Sequence, residues 1–294
     1  MKIKESPGER VFNVCNILIM IVLLVITLYP ILYVLFASFS NPGMLMMKTG
    51  PLWKPEGFSL ASYEVVFQNP NIWQGYKNTL IILVFGVIIN LLLTMIAGYV
   101  LSRKYLMLRR FLTLMIVFTM YFNGGLIPFY LTVKNLHLDN SLLSLIIPTA
   151  ISTYNMIIMR TAFAAVPDSM EESAKLDGAN QTTILFRIMV PLVMPTLAVL
   201  LLYYGVSHWN SWFNAMIFLN RRRDLFPLQL VLREILVQNS TADMTQGIGM
   251  DDAEMVSETI KYSVIVVATV PILLLYPFLQ RFFVKGVMIG AVKG

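Results

Sequence analysis

Residues 166–191 read VPDSMEESAKLDGANQTTILFRIMVP and lie between two strongly apolar runs. The stretch is polar, yet it lacks the composition of a turn-rich loop. Pro167, Asp168 and Ser169 lead into a short helical phrase that ends at Gly178; a second phrase runs to Ile188, and Pro191 opens the next apolar run. Ser169 and Glu172 have capping-box spacing, so the hydroxyl can accept from a backbone N–H three residues on while the carboxylate reaches back. Gly178 stands where a helix needs a left-handed stop, which a residue without Cβ adopts freely. The expected local structure is helix, sharp turn, helix. The plainer alternative is an ordinary loop that happens to carry a cap.

The rest of the chain supplies the membrane. Hydrophobic residues make up 57% of it and charged residues 13%, against about 25% charge in a soluble domain. Six charge-free runs cover residues 11–47, 78–102, 111–133, 140–159, 188–220 and 262–280. Each can hold the ~20 apolar residues of a spanning helix. The runs are continuous and do not alternate, which favours helices over a barrel. The expected fold is an all-α membrane protein, one transmembrane domain over residues 1–294. Its six transmembrane helices fall at about 12–39, 79–101, 111–133, 141–160, 191–219 and 258–283. The first run is much longer than the roughly 7–15 residues of a signal-peptide core, so it is expected to stay as a span.

Catalytic chemistry finds little to work with. Cys15 is the single cysteine, and His137 and His208 are the two histidines, in different segments. No metal-ligand spacing, catalytic triad or Gly-Lys pair of a P-loop is present. A protein of this sequence that depends on ATP is expected to leave the nucleotide and its Mg to another chain. No cofactor is expected here.

Two runs are interrupted. Asn123, Gly124, Gly125 and Pro128 break the third, and backbone groups freed at membrane depth must be buried in protein or line a wet cavity. A kink near the surface is the simpler alternative. The fifth run carries Trp209, Asn210, Trp212 and Asn214, and polar groups within a span face a cavity or another helix. At 100° per residue, Asn210 and Asn214 share a face, with Trp209 and Trp212 on a neighbouring one. Trp53, Tyr63 and Trp73 fit the aromatic belt at the lipid surface.

Basic residues orient the chain. With the N-terminus inside, segments 1–11, 102–110, 160–190 and 281–294 hold 13 Lys+Arg against 6 acids, whereas the outside segments hold 9 against 10. Both termini and the 166–190 loop are therefore expected in the cytoplasm. The awkward group is Arg221, Arg222 and Arg223, which falls outside. Inside-positive loops account for the net charge of +6, so no nucleic-acid partner is required.

The 166–191 stretch resembles the EAA loop of ABC-importer permeases: Glu172, Ser173 and Ala174, then Gly178, then Ile188, Val190 and Pro191. Ser173 replaces an Ala and Val190 a Leu, both keeping size or apolarity. The phrases FNGGLIPFYL (122–131), GVSHWNSWFNA (205–215) and PLQLVLREIL (227–236), with the basic Gly-containing tail, resemble carbohydrate-uptake permeases of the maltose-permease type, in the polysaccharide, lipo-oligosaccharide and aldouronate group.

The resemblance implies a type I ABC-importer fold with a cytoplasmic coupling helix between spans four and five. It implies a second, different permease subunit, two ATP-binding subunits, an extracytoplasmic solute-binding protein, an oligosaccharide substrate and a bacterial cell membrane as location. The residues it assigns to ATPase coupling are Ser169, Glu171, Glu172, Ser173, Ala174, Asp177, Gly178, Ile188 and Pro191. Trp209, Asn210, Trp212, Asn214 and Asn123 are candidates for the solute passage, because a pyranose offers an apolar face to aromatic rings and hydroxyls to amides. Aromatics of the interface belt with helix-bridging amides are the alternative. A permease for a non-sugar solute is the competing function. An ion-coupled transporter is disfavoured by the absence of Asp, Glu or Lys from the six runs.

Overall fold

The computed structural model describes residues 6–237, 257–274 and 277. The start of the N-terminal tail, the acidic stretch 238–256 and the basic tail 285–294 lie outside the described residues, as does the end of the sixth expected span. The helices are α1 (Pro7–Ser38), α2 (Pro42–Met47), α3 (Ala61–Gln68), α4 (Pro70–Ser102), α5 (Arg109–Tyr121), α6 (Leu126–Asn135), α7 (Leu143–Ile146), α8 (Thr153–Ala164) and α9 (Asp168–Leu176). They continue as α10 (Gln181–Leu192), α11 (Met194–Trp209), α12 (Phe213–Phe218), α13 (Leu228–Val237) and α14 (Ser257–Leu274). Among the described residues, β pairing is confined to one isolated bridge between Ser40 and Phe58. The protein is all-α, with α1, α4 and α14 long and apolar enough to cross a membrane unbroken.

The chain divides into two compact units, residues 1–69 with 234–270 and residues 70–233 with 271–294. In the first, α1 begins in a capping box that the sequence reading passed over: Ser6 Oγ accepts the Glu9 N–H at 3.2 Å and the Ser6 N–H donates to Glu9 Oε2 at 2.6 Å. Most of α1 is an exposed apolar surface, as a lipid-facing helix requires. Its C-terminal end is pinned by Tyr29, whose hydroxyl accepts the Leu52 N–H at 3.0 Å, and by a 2.8 Å hydrogen bond between Ser38 Oγ and Tyr63 OH.

The second unit is built on α4. Its buried face repeats every fourth residue: Asn78, Ile82, Gly86, Asn90, Thr94, Gly98 and Ser102. Small and hydrogen-bonding residues at this period let helices approach closely inside a membrane, where apolar side chains alone give little drive to associate. A Cβ on Gly98 would sit 2.8 Å from Met159 Cγ of α8, and one on Gly86 would sit 2.5 Å from His208 Nε2 of α11. Thr94 Oγ1 and Tyr204 OH are 2.7 Å apart.

Three expected spans are interrupted. The third is split at residues 122–125 into α5 and α6, which meet at 113°. The fourth is divided into α7 and α8 around Pro148, which has no N–H and collides with the preceding turn. The carbonyls of Thr149 and Ala150 left free there are both taken by Asn90 Nδ2, at 2.7 and 2.9 Å, and the Ser152 N–H donates to Tyr204 OH at 3.1 Å. The fifth is bent by 87° between α10 and α11. Pro191 and Pro195 remove two helical donors there, and the turns before the bend widen into a π-helix at Ile184–Met189.

Candidate functional site

The EAA-like loop is a folded helix–turn–helix. α9 starts at Asp168, with Pro167 as its cap residue and no side-chain cap bond. The expected Ser169–Glu172 capping box is therefore absent: both residues lie within α9, and both are exposed. Pro167 sets the start instead, since its fixed φ suits the helix entrance. Gly178 has φ +80° and ends the helix in the left-handed conformation. Asn180 then caps α10, its Oδ1 accepting the Thr183 N–H at 2.8 Å.

What holds α9 in place is Glu171. Its carboxylate is buried, pairs with the Arg103 guanidinium, accepts from Lys175 Nζ at 2.7 Å and from Tyr105 OH at 3.2 Å. Arg103 is equally buried; it donates to the Phe163 carbonyl at 3.0 Å and to Ser102 Oγ at 2.9 Å, with its guanidinium carbon 4.9 Å from the centre of the Tyr99 ring. Tyr99 OH in turn donates to Gln181 Oε1 at 2.9 Å. Burial works against the charged form of Glu171, but hydrogen bonds from Lys175 and Arg103 outweigh it and hold the carboxyl below its ordinary range. Asp168 is also held low, by an exposed hydrogen bond from Lys104 at 2.6 Å.

One face of α9 thus faces the membrane-spanning helices. Ala174 joins Tyr99, Met159, Phe163, Ile184, Leu185 and Met189 in an apolar cluster. The other face carries Ser169, Met170, Glu172, Ser173, Leu176 and Asp177, all exposed, with Leu176 at 89%. Ile188 is half-buried and packs against the same apolar cluster, whereas Pro191 is exposed on α10. Of the coupling residues expected from sequence, Glu171 and Ala174 fasten the helix, while Glu172, Ser173 and Asp177 are free to meet a partner.

A second site lies near the far end of α11. The helix stops at Trp209, and residues 210–212 are not helical. The shared helical faces expected for Asn210 with Asn214 and for Trp209 with Trp212 therefore do not exist. The break itself brings polar groups together. Asn123 and Asn214 line one hollow with Gly124, Gly125 and Phe213; Asn210, Trp212 and Asn214 line the next with Thr149, Ser211 and His208. Phe213 and Asn214 belong to both, so the two hollows adjoin. Trp209 is not among these residues. It is buried, its ring centre 6.3 Å from that of Tyr76, and its Nε1 finds no hydrogen-bond partner among the described residues.

Residues 90–289 match the family described as binding-protein-dependent transport system inner membrane component. The chain belongs to that family. Among similar proteins is Protein LplC of Bacillus subtilis (strain 168), 39% identical over 99% of this chain and 97% of that protein. Another is the polygalacturonan/rhamnogalacturonan transport system permease protein YtcP of the same organism, 38% identical over 97% of this chain and 99% of that one. The crystal structure of a bacterial ABC transporter involved in the import of the acidic polysaccharide alginate superposes with a TM-score of 0.87, at 30% identity, covering 96% of this chain and 100% of that one.

This inner membrane component is thus a transport permease subunit with the type I importer fold. Two features of it escaped the sequence reading. Arg103 was counted only as an inside-positive charge, because its partner Glu171 is 68 residues away. The α4 stripe did carry a signal, since small or polar residues stand at six of the seven fourth positions from Asn78 to Ser102, all but Ile82, within an otherwise apolar run.

Proposed function

We propose that this permease is one of two different membrane subunits of an ATP-driven importer for oligosaccharides. Two separate ATP-binding chains hold ATP and Mg on the cytoplasmic side, and an extracytoplasmic solute-binding protein delivers the saccharide. Both chain termini and the 166–190 loop face the cytoplasm, in keeping with the basic-residue count. The observation that carries the proposal is the two-sided character of α9. Its inner face is fastened by the Arg103–Glu171 pair and Ala174, while its outer face offers Met170, Glu172, Ser173, Leu176 and Asp177. A rigid helix with an exposed mixed face is what docking into another protein requires.

α4 joins this surface to the groove. It carries Asn90 beside the groove residue His208, at 2.7 Å, and ends next to Arg103. Thirteen residues at 1.5 Å rise separate the two, about 20 Å. Closure of the ATP-binding pair would push on α9 and be carried along α4, opening the passage alternately to each side. The carbohydrate class is supported by the similarity to a polygalacturonan/rhamnogalacturonan permease and to an alginate importer, and by the amides of the groove formed by the two adjoining hollows, beside Trp212. Reconstitution of the whole complex with a panel of oligosaccharides tests it: ATP hydrolysis should rise only with a saccharide-loaded binding protein. Stimulation by amino acids or peptides, and by no sugar, would overturn it.

A further inference from the structure

The two ring nitrogens of His208 have different surroundings. Nε2 lies 2.7 Å from Asn90 Oδ1 of α4, and His208 also lines the hollow that holds Asn210, Ser211 and Trp212. Asn90 is wholly buried, and its amide has one possible orientation. Nδ2 gives one hydrogen to the Thr149 carbonyl at 2.7 Å and the other to the Ala150 carbonyl at 2.9 Å. The reversed amide would set Oδ1 against those two carbonyls. Oδ1 is therefore the atom that meets His208, and it only accepts. Nε2 must carry the proton. No acid lines either hollow, and a charged ring so buried would lack a counter-charge. The imidazole is thus neutral, and Nδ1 is left as a bare acceptor.

Nδ1 is both unused and open. It makes no hydrogen bond among the described residues, and the buried side-chain nitrogens and oxygens without a partner there are Ser62 Oγ and Trp209 Nε1. Two neighbours in the same hollow have also spent their protons on backbone. Thr149 Oγ1 donates to the Leu145 carbonyl at 2.8 Å, and Asn210 Nδ2 to the Val206 carbonyl at 2.9 Å. We infer that His208 is a specificity-determining residue of the passage, its Nδ1 accepting a hydrogen bond from a hydroxyl of the solute, with Asn90 as the positioning residue that holds the proton on Nε2. The inference rests on the carbohydrate reading of the groove. Three acceptors in one hollow, His208 Nδ1, Asn210 Oδ1 and Thr149 Oγ1, favour a solute rich in O–H donors. A group that only accepts would face Nδ1 lone pair to lone pair and leave both unsatisfied. The side chain that takes the carbonyls freed at Pro148 thereby also sets the chemistry of the groove.

The experiment uses the complete importer in proteoliposomes with its binding protein. The probe is whichever trimer of galacturonate, xylose, arabinose or glucose is transported fastest, together with its deoxyfluoro analogues. Each analogue has one hydroxyl replaced by fluorine, which cannot donate. In wild type at least one analogue should have a KM about three- to tenfold above the native trimer, the loss of one hydrogen bond. His208→Gln keeps an N–H that reaches Asn90 and loses the acceptor at Nδ1, so that fluorine penalty should disappear. His208→Asn, whose amide reaches no farther than Nδ1, should retain part of the penalty while the thermal midpoint of the complex falls with the Asn90 contact. Each penalty is a ratio within one variant and one binding protein serves all of them, so reduced assembly and the binding protein's own preference cancel. No fluorine-sensitive hydroxyl in wild type, or the same penalty in His208→Gln, or its equal loss in both variants, would overturn the role of Nδ1 and leave the carbohydrate reading standing. ATP hydrolysis stimulated by peptides or amino acids and by no sugar would overturn both.

Discussion

Arg103 and Glu171 form a buried ion pair that ties the end of the long helix α4 to the helix α9. The pair is local in space and distant in sequence. It is also fully engaged, since the arginine bonds a carbonyl and a hydroxyl while the glutamate accepts from Lys175 and Tyr105. Removing one member leaves the other charged and buried, which costs about 3–5 kcal/mol. Arg103→Ala and Glu171→Ala should each release α9, seen as faster proteolysis within 166–180 and loss of co-purifying ATPase. The double variant should be less damaged than the sum of the singles, because it leaves no orphan charge. Additive losses would mean that the two side chains act independently.

The same pair has a pH dependence of known sign. The carboxyl of Glu171 is held below its ordinary 4.5 in the folded protein. A depressed acid contributes stability at every pH above its unfolded value, and that stability is lost as pH falls through the folded one. Proteolytic protection of the loop should therefore be flat from neutrality down to about pH 5 and fall at more acidic pH. In Glu171→Gln that acid-dependent step should shrink to what the exposed Lys104–Asp168 pair contributes. A protection step near neutrality would point to a different group.

Gly178 should tolerate no ordinary side chain. Its φ is +80°, yet nothing lies within 4 Å of a Cβ placed there. The penalty is thus backbone strain alone, roughly 1–2 kcal/mol. Gly178→Val should leave membrane insertion and permease pairing unchanged while ATPase association falls. Gly178→Asn should fall less, because asparagine enters the left-handed region more readily. Normal uptake by the Val variant would make the loop a mere spacer.

Packing along α4 gives a contrast between two glycines. A Cβ on Gly86 meets His208 at 2.5 Å, whereas a Cβ on Gly205 meets nothing within 4 Å. Gly86→Ala should lower the thermal stability of the purified complex by about 1–3 kcal/mol of overpacking and disturb the Asn90–His208 contact next to the groove. Gly205→Ala should be neutral or stabilising, by up to about 1 kcal/mol. Thermal unfolding of both variants checks this, and equal destabilisation would contradict the close approach of α4 and α11.

In the groove, Asn210 spends its Nδ2 on the Val206 carbonyl at 2.9 Å, which leaves Oδ1 for a ligand hydroxyl. Asn210→Ala should raise the transport KM by up to about tenfold, from one hydrogen bond of roughly 0.5–1.5 kcal/mol. Trp212→Ala should raise it further through lost stacking. Trp209→Phe should change KM little, since that ring is buried against Tyr76. Uptake kinetics of the three variants decide it; a KM effect confined to Trp209→Phe would place the passage elsewhere.

The parts of this fold legible in the sequence are those set by local chemistry. Unbroken apolar length gave α1 and α4, and Gly178 marked its own turn. Asn123, Gly124 and Gly125 announced the break before α6. The misreadings occurred where a distant group decides. Ser169 has the spacing of a cap, but Pro167 starts the helix earlier and Arg103 anchors it from below. Pro148 lies in a run that looks spanning, and Asn90 of another helix makes the break tolerable by taking both freed carbonyls. The pause after Trp209 carries neither Gly nor Pro, so periodicity ran straight through it and assigned Trp209 to the wrong surface.

The central claim is that α9 presents its outer face to an ATP-binding chain in the cytoplasm. Leu176, at 89% exposure, is the residue on which to test it. In a Cys15→Ser background, Leu176→Cys is placed in the assembled complex and treated with a short bifunctional maleimide. A crosslink to an ATP-binding subunit whose yield differs between the ATP-closed and the nucleotide-free complex, with no labelling by an impermeant reagent outside intact cells, is the expected result. Outside labelling of Leu176→Cys, with no crosslink in any nucleotide state, would contradict it.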